Sequence, residues 1–262
     1  MSNQKNIKNT PSSVVHYTSL EVVRIMFDKA LTGTEANVTF HLSNQTMMND
    51  YGEGSIILDR FFTDSNFKRS LKKEWEECFL NIRPFIFSTS STDNNTRSKG
   101  NISMWKMYGN EFRGAYIRFN FKELKEFCDS NNLELIQCDY LTTSDVSKII
   151  SQLNNGNNTE FTDILKHVCK TKTIEWSYEK EWRIVVKKDV TGREVKIKNT
   201  DHGLVEYVEL DIPIRLIKEI CLGPLCNQND LECLDTLKNQ LISIFGNNVN
   251  FKIQKSSIKI RY

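Results

Sequence analysis

Nowhere does this chain contain a Cys-x-x-Cys pair. Its seven cysteines, Cys78, Cys128, Cys138, Cys169, Cys221, Cys226 and Cys233, are odd in number and scattered, with no histidine placed to complete a zinc pattern. That excludes a zinc ribbon and a fully paired disulfide framework, and it reads as reduced thiols buried mostly as small hydrophobes. No window approaches the roughly 18 apolar residues of a membrane-spanning helix, and the opening MSNQKNIKNTPSS lacks an apolar signal-peptide core. The expectation is a cytoplasmic protein with no membrane partner. Strong charge is missing as well. Lys and Arg number 35 against 33 Asp and Glu, a formal net charge of +2, which is too little for the uniform field of a nonspecific nucleic-acid binder but leaves room for a local basic groove. Internal repeats and low-complexity blocks are absent too.

What is present is a globular composition, 39% hydrophobic and 26% charged, with strands dispersed among short helices. Residues 1–12 are expected to form a disordered tail and residues 13–262 a single α+β domain. SLEVVRIMFDKAL reads as a helix capped by Ser19, with Leu20, Val23, Phe27 and Leu31 at helical spacing. NVTFHLSN alternates as a strand does, a helix is expected near 65–80, and RPFIFSTSST reads as a strand. GAYIRFN is a strand with Ala115, Ile117 and Phe119 on one face and Tyr116 and Arg118 on the other. LELIQCDYL is expected as one strand, followed by a helix capped by Ser144. FTDILKHVCKTK and NDLECLDTLKNQLISIF read as helices, and VEYVELDI, IKEICLGP and the closing NVNFKIQKSSIKIRY as strands. Without a regular βαβ rhythm, the fold class is mixed α+β with mainly antiparallel sheets.

Four constellations can carry chemistry. HYTS sets His16 at the junction of a strand and a helix, where Thr18, Ser19 and free helix-start amides can donate to an anion or a ribose; the alternative is a satisfied histidine beside an ordinary N-cap. MMNDYGEG gathers Asn49, Asp50 and Glu53 around a glycine-flanked turn, as a substrate-orienting set or as an Asx-type turn. In the third stretch, Ser88 and Ser90 share a strand face, and Trp105 and Tyr108 share a helical face on which a nicotinamide or nucleobase can stack. Core packing is the commoner use of a tryptophan. The fourth is EWSYEKEWRIVV. If extended, it turns Glu179, Glu181, Arg183 and Val185 one way and Tyr178, Trp182, Ile184 and Val186 the other. Two neighbouring carboxylates repel, so one gains proton affinity, which is useful for polarising a hydroxyl or stabilising a developing cation. The bland alternative is a solvated edge with Arg183 paired to Glu181.

The ordered set HYTS, FHLSNQTMMNDYGEG, FSTSSTDNN, MWKMYGNEFRG, WSYEKEWRIV and ICLGP resembles a widespread bacterial family, the domain of unknown function 2971, from about His16 to Pro224. Its most specific pieces are Met104–Gly109 and Tyr178–Arg183. Tyr51 stands where the family usually has the proline of an Asn-Asp-Pro. More remotely, an early histidine, an aromatic-rich middle and a late strand glutamate are similar to ADP-ribosyltransferase folds. That resemblance implies NAD as substrate and no metal. His16, Thr18, Ser19, Ser88, Trp105 and Tyr108 would bind NAD, and Asn49, Asp50, Glu53 and Arg183 the substrate. Glu181 would be the carboxylate beside the ribose, and Glu179 would orient an acceptor nucleophile. It implies a macromolecular acceptor, protein or nucleic acid, and a bacterial toxin or antiphage effector with an antitoxin or defence-system partner. Two other classes compete: a metal-dependent nuclease built on Asp189, Glu194 and Lys196, and a noncatalytic nucleotide-sensing module.

Overall fold

A computed structural model of the chain describes residues 10–45, 84–92, 100–155, 161–187, 192–200 and 203–261, with positions 57, 60, 63, 73 and 77. The expected disordered tail over residues 1–12 is described only from residue 10, and the Met47–Gly54 turn and most of the expected 65–80 helix lie outside these residues. The architecture is mixed, a mainly antiparallel sheet accompanied by helices. The chain packs as two compact units, each assembled from separated segments.

The first unit comprises Met1–Arg24, Ser90–Glu126 and Ile214–Tyr262. Its strands are β1 (Ser13–Thr18), β4 (Ala115–Asn120), β11 (Ile217–Leu222) and β12 (Lys252–Lys255), hydrogen-bonded in the order β12-β11-β4-β1. β4 runs antiparallel to both β1 and β11, while β11 and β12 are parallel. Alternation sorts the side chains as expected: Val14, Ile117, Phe119 and Ile220 share one face and are fully buried. Tyr17, Tyr116, Arg118 and Glu219 share the other. The helix α6 (Gln228–Phe245) begins with a capping box, in which the Asn227 side chain accepts from the Asp230 amide and the Asp230 carboxylate accepts from the Asn227 amide.

The second unit comprises Ile25–Thr89 and Phe127–Pro213. Here β2 (Asn37–Asn44) lies between β3 (Pro84–Ser91) and β10 (Gly203–Pro213), and β9 (Lys196–Thr200) pairs with the far edge of β10. β8 (Glu181–Lys187) pairs with β3 and with β5 (Glu134–Gln137). The β2–β10 register sets Val38 opposite Ile212, Phe40 opposite Leu210 and Leu42 opposite Val208, all six buried. Burying each such side chain stabilises the fold by about 1.5–3 kcal/mol. On the other face Thr39 donates to Asp211 at 2.6 Å, so the strand's polar residues satisfy one another rather than the core.

Two local expectations change. The stretch LELIQCDYL divides at Cys138 into β5 and β6 (Asp139–Leu141), and β6 pairs in parallel with β7 (Thr171–Thr173) in a separate two-stranded sheet. The Cys138 amide still donates to the Glu181 carbonyl at 3.0 Å, in register with the β5–β8 ladder, and from Asp139 the chain changes partner to β7. The following helix, Thr143–Asn155, is capped by Thr142 rather than Ser144: the Thr142 hydroxyl accepts from the Asp145 amide, and the Asp145 carboxylate accepts from the Thr142 amide.

Candidate functional site

The Tyr178–Arg183 block is not one extended run. Ile174–Glu179 forms a turn of 3₁₀ helix, Lys180 takes left-handed angles (φ 47°, ψ 48°), and only then does β8 begin at Glu181. The reversal at Lys180 corrects the expected two-face alternation for Tyr178 and Glu179, while Glu181 and Arg183, both inside the strand, keep a common face. The face expected to present charge is instead sealed. Glu179 and Glu181 are each 3% exposed and Arg183 is fully buried. Tyr178, expected as an anchor, is half-buried.

The four charges lie in one cluster completed by Lys172 of β7. Its ammonium donates to Glu179 Oε2 at 2.6 Å and stands 3.1 Å from Glu181 Oε2. Arg183 grips the same carboxylate with two parallel bonds, Nε to Oε1 at 3.0 Å and Nη2 to Oε2 at 3.1 Å, and its Nη1 donates to the Cys169 carbonyl at 2.7 Å. Two cations and two carboxylates balance, which is how four ionised groups remain buried where each alone would cost several kcal/mol. The backbone of Glu181 is held equally firmly, its amide donating to the Tyr140 hydroxyl at 2.7 Å. The Lys172 ammonium also sits 5.2 Å from the centre of the Trp176 ring.

Burial raises the proton affinity of Glu181 above that of an ordinary carboxylate; Lys172 and the Ser88 hydroxyl oppose the rise and Glu179 adds to it. Burial also pushes the Cys138 thiol well up, with Glu181 adding to the effect, and raises the Tyr140 hydroxyl. The arrangement therefore holds a carboxylate in a dry, charge-compensated setting, with a second carboxylate sharing its lysine. Lys172, Tyr140 and Cys138 were not legible as members. Lys172 carried no signal, because Lys180, between the two glutamates, is the nearer cation in sequence.

The remaining expected residues divide between the units. His16 is half-buried and points to the apolar face of β1, with Ile117 opposite it across the β1–β4 pair. Thr18 is buried on that face, and Ser19 is the N-cap of α1 (Leu20–Thr32), its hydroxyl accepting from the Val22 amide at 3.1 Å. Trp105 of the helix α2 (Ile102–Met107) is fully buried on the opposite face. Its ring stands edge-on to Tyr17 at 5.0 Å and tilted against Tyr116 at 5.4 Å, which covers the indole as core. Tyr108 is half-buried and closes α2, its amide donating to the Met104 carbonyl at 2.9 Å. Within the first unit, then, His16 and Trp105 are not brought to one surface. Ser88 belongs to the second unit, beside Glu181. Asn49, Asp50 and Glu53 lie outside the described residues, as does Asp189 of the alternative nuclease set. Lys196 of that set is engaged with Glu209 at 3.0 Å, and Glu194 is exposed ahead of β9. Among the described residues no three His, Cys, Asp or Glu side chains converge as a metal site, and no helix is long and apolar enough to cross a membrane.

Residues 104–184 match the model of a family described as protein of unknown function (DUF2971), the family that the motif order resembles. The matched stretch includes both of the most specific pieces, Met104–Gly109 and Tyr178–Arg183. No curated protein and no solved structure matches the chain.

Proposed function

We propose that the chain is an NAD-dependent ADP-ribosyltransferase-like enzyme that modifies a macromolecule, with Glu181 as the carboxylate of the reaction. The observation that supports it is a carboxylate of raised proton affinity at the head of a strand, buried and joined through one ammonium to a second carboxylate. In such a transfer the bond between ribose C1′ and the nicotinamide nitrogen breaks, and its electron pair leaves with nicotinamide. Positive charge then grows on the ribose until the acceptor nucleophile bonds to C1′ and gives up its proton to solvent. A fixed carboxylate beside that charge lowers the barrier, and does so most in a site without water. Lys172 occupies that cationic position in the resting protein. The Trp176 face gives the ammonium a place to move toward as the ribose charge takes over its contact with Glu181. The reading carries with it a role as a bacterial toxin or antiphage effector.

A second reading is favoured by the complete pairing of Glu181: a noncatalytic nucleotide-sensing module in which the quartet only ties β7, the 3₁₀ turn and β8 together. Incubating the protein with labelled NAD and a cell lysate separates the two. A transferase releases nicotinamide and labels protein or nucleic acid, and Glu181→Gln lowers that turnover by roughly 10²–10³-fold while NAD binding and far-UV circular dichroism persist. Wild-type protein that releases no nicotinamide and labels neither fraction sinks the transferase reading.

A further inference from the structure

On the polar face of the first unit, four strands contribute one row of side chains: Val15 of β1, Arg118 of β4, Glu219 of β11 and Lys252 of β12. Above this row lies a cavity of about 450 Å³ whose floor is Arg118 and Glu219, a volume within the range of small-molecule sites. The cation of that floor is already engaged. Arg118 donates from Nε and Nη2 to Glu219 at 3.3 Å, from Nη1 to the Ser13 and Thr92 hydroxyls at 3.3 Å, and from Nη2 to the Tyr116 hydroxyl at 2.7 Å. The Tyr116 hydroxyl in turn donates to Glu219 at 2.7 Å, so three donors, two from Arg118 and one from Tyr116, converge on Glu219 Oε1.

The walls differ. Lys252 and Gln254 of β12 have no side-chain partner among the described residues, and Asn120 uses its carbonyl oxygen to accept from the Glu123 amide, which leaves its amino group to the cavity. A β-bulge between Ile217 and Glu219 brings in Lys218 as an extra residue at the rim, where its ammonium meets Glu123 at 2.8 Å and donates to the Arg215 carbonyl at 3.2 Å. Bulges of this kind re-aim a side chain beside a functional site. Three cations, Arg118, Lys218 and Lys252, and one carboxylate, Glu219, thus line the recess, an excess of positive charge.

From this we infer that the cavity is a binding site for a small phosphorylated ligand. Its phosphate is taken by Lys252 and Lys218, with Gln254 and Asn120 donating to the remaining oxygens; charge-assisted bonds of this sort are the strong ones. The inference is independent of the transferase reading, since it uses none of the residues around Glu181.

Inorganic phosphate is the probe. Thermal unfolding of the full chain should shift upward saturably, by about 3–6 °C at ten times the dissociation constant, beyond any shift from chloride at equal ionic strength. Lys252→Ala and Gln254→Ala lie on an edge strand and should fold normally, yet each should weaken the phosphate response at least tenfold. An equal shift with chloride overturns the inference, as does a phosphate shift that both variants leave intact. A response seen only with a single-stranded oligonucleotide and absent with phosphate also overturns it, because the groove would then read a polymer backbone rather than a small ligand.

Discussion

Lys172 ties the buried quartet together, because its ammonium contacts both carboxylates. Arg183 neutralises Glu181 through two bonds, while the 2.6 Å bond to Glu179 comes from Lys172. Lys172→Met keeps the length and apolar stem of the side chain but leaves an uncompensated negative charge in the interior. Removing one partner from a buried ionic cluster costs about 3–5 kcal/mol, far more than deleting an exposed pair such as Lys106–Glu111. Urea denaturation should show that loss, and Lys172→Met combined with Glu179→Gln should recover much of it, since the two substitutions act on one interaction. A single variant within about 1 kcal/mol of the wild type would mean that the charges are not buried in solution.

At the scale of the element, Lys180 decides how the block is read. A non-glycine residue held in left-handed conformation costs about 1–2 kcal/mol, and Lys180 (φ 47°, exposed) is held there between the 3₁₀ turn and β8. Lys180→Gly removes that cost, while the freer unfolded chain offsets about 0.4–1 kcal/mol of it. The net expectation is a melting temperature higher by roughly 2–4 °C, and a β-branched Lys180→Val should lower it; a destabilised glycine variant would refute the assignment of strain. The same position shows where sequence reading stops. Regular elements were legible because their periodicity is long: β2 begins and ends where its alternation does, and β4 divides its faces between Ile117 and Arg118 as expected. Strand alternation failed at Tyr178 and Glu179 because nothing in Tyr-Glu-Lys-Glu marks a left-handed residue. The division of β5 from β6 was equally hidden, since it is a change of partner from β8 to β7, both distant in sequence. The cap at Thr142 was available in the sequence as a Thr-x-x-Asp box.

For the whole molecule, the segmented make-up of the two units limits what any stretch can do alone. The match over residues 104–184 contains the entire quartet of Lys172, Glu179, Glu181 and Arg183, together with the β6–β7 pair and all of the β5–β8 pair but Glu134–Val185. It omits both neighbours of β4, which pairs with β1 and β11, and it omits β3, the other partner of β8. A polypeptide of residues 104–184 would expose β4 with two unpaired edges and uncover Ile117 and Phe119, which are fully buried in the whole chain. Its two short ladders close few long-range contacts against the chain entropy of 81 residues, roughly 1–2 kcal/mol per residue for the backbone. Expressed alone, the segment should give a narrow amide proton spectrum and no cooperative melting, whereas the full chain should melt cooperatively. A well-dispersed spectrum from the segment would instead show that the quartet and its short strands form an autonomous folding core.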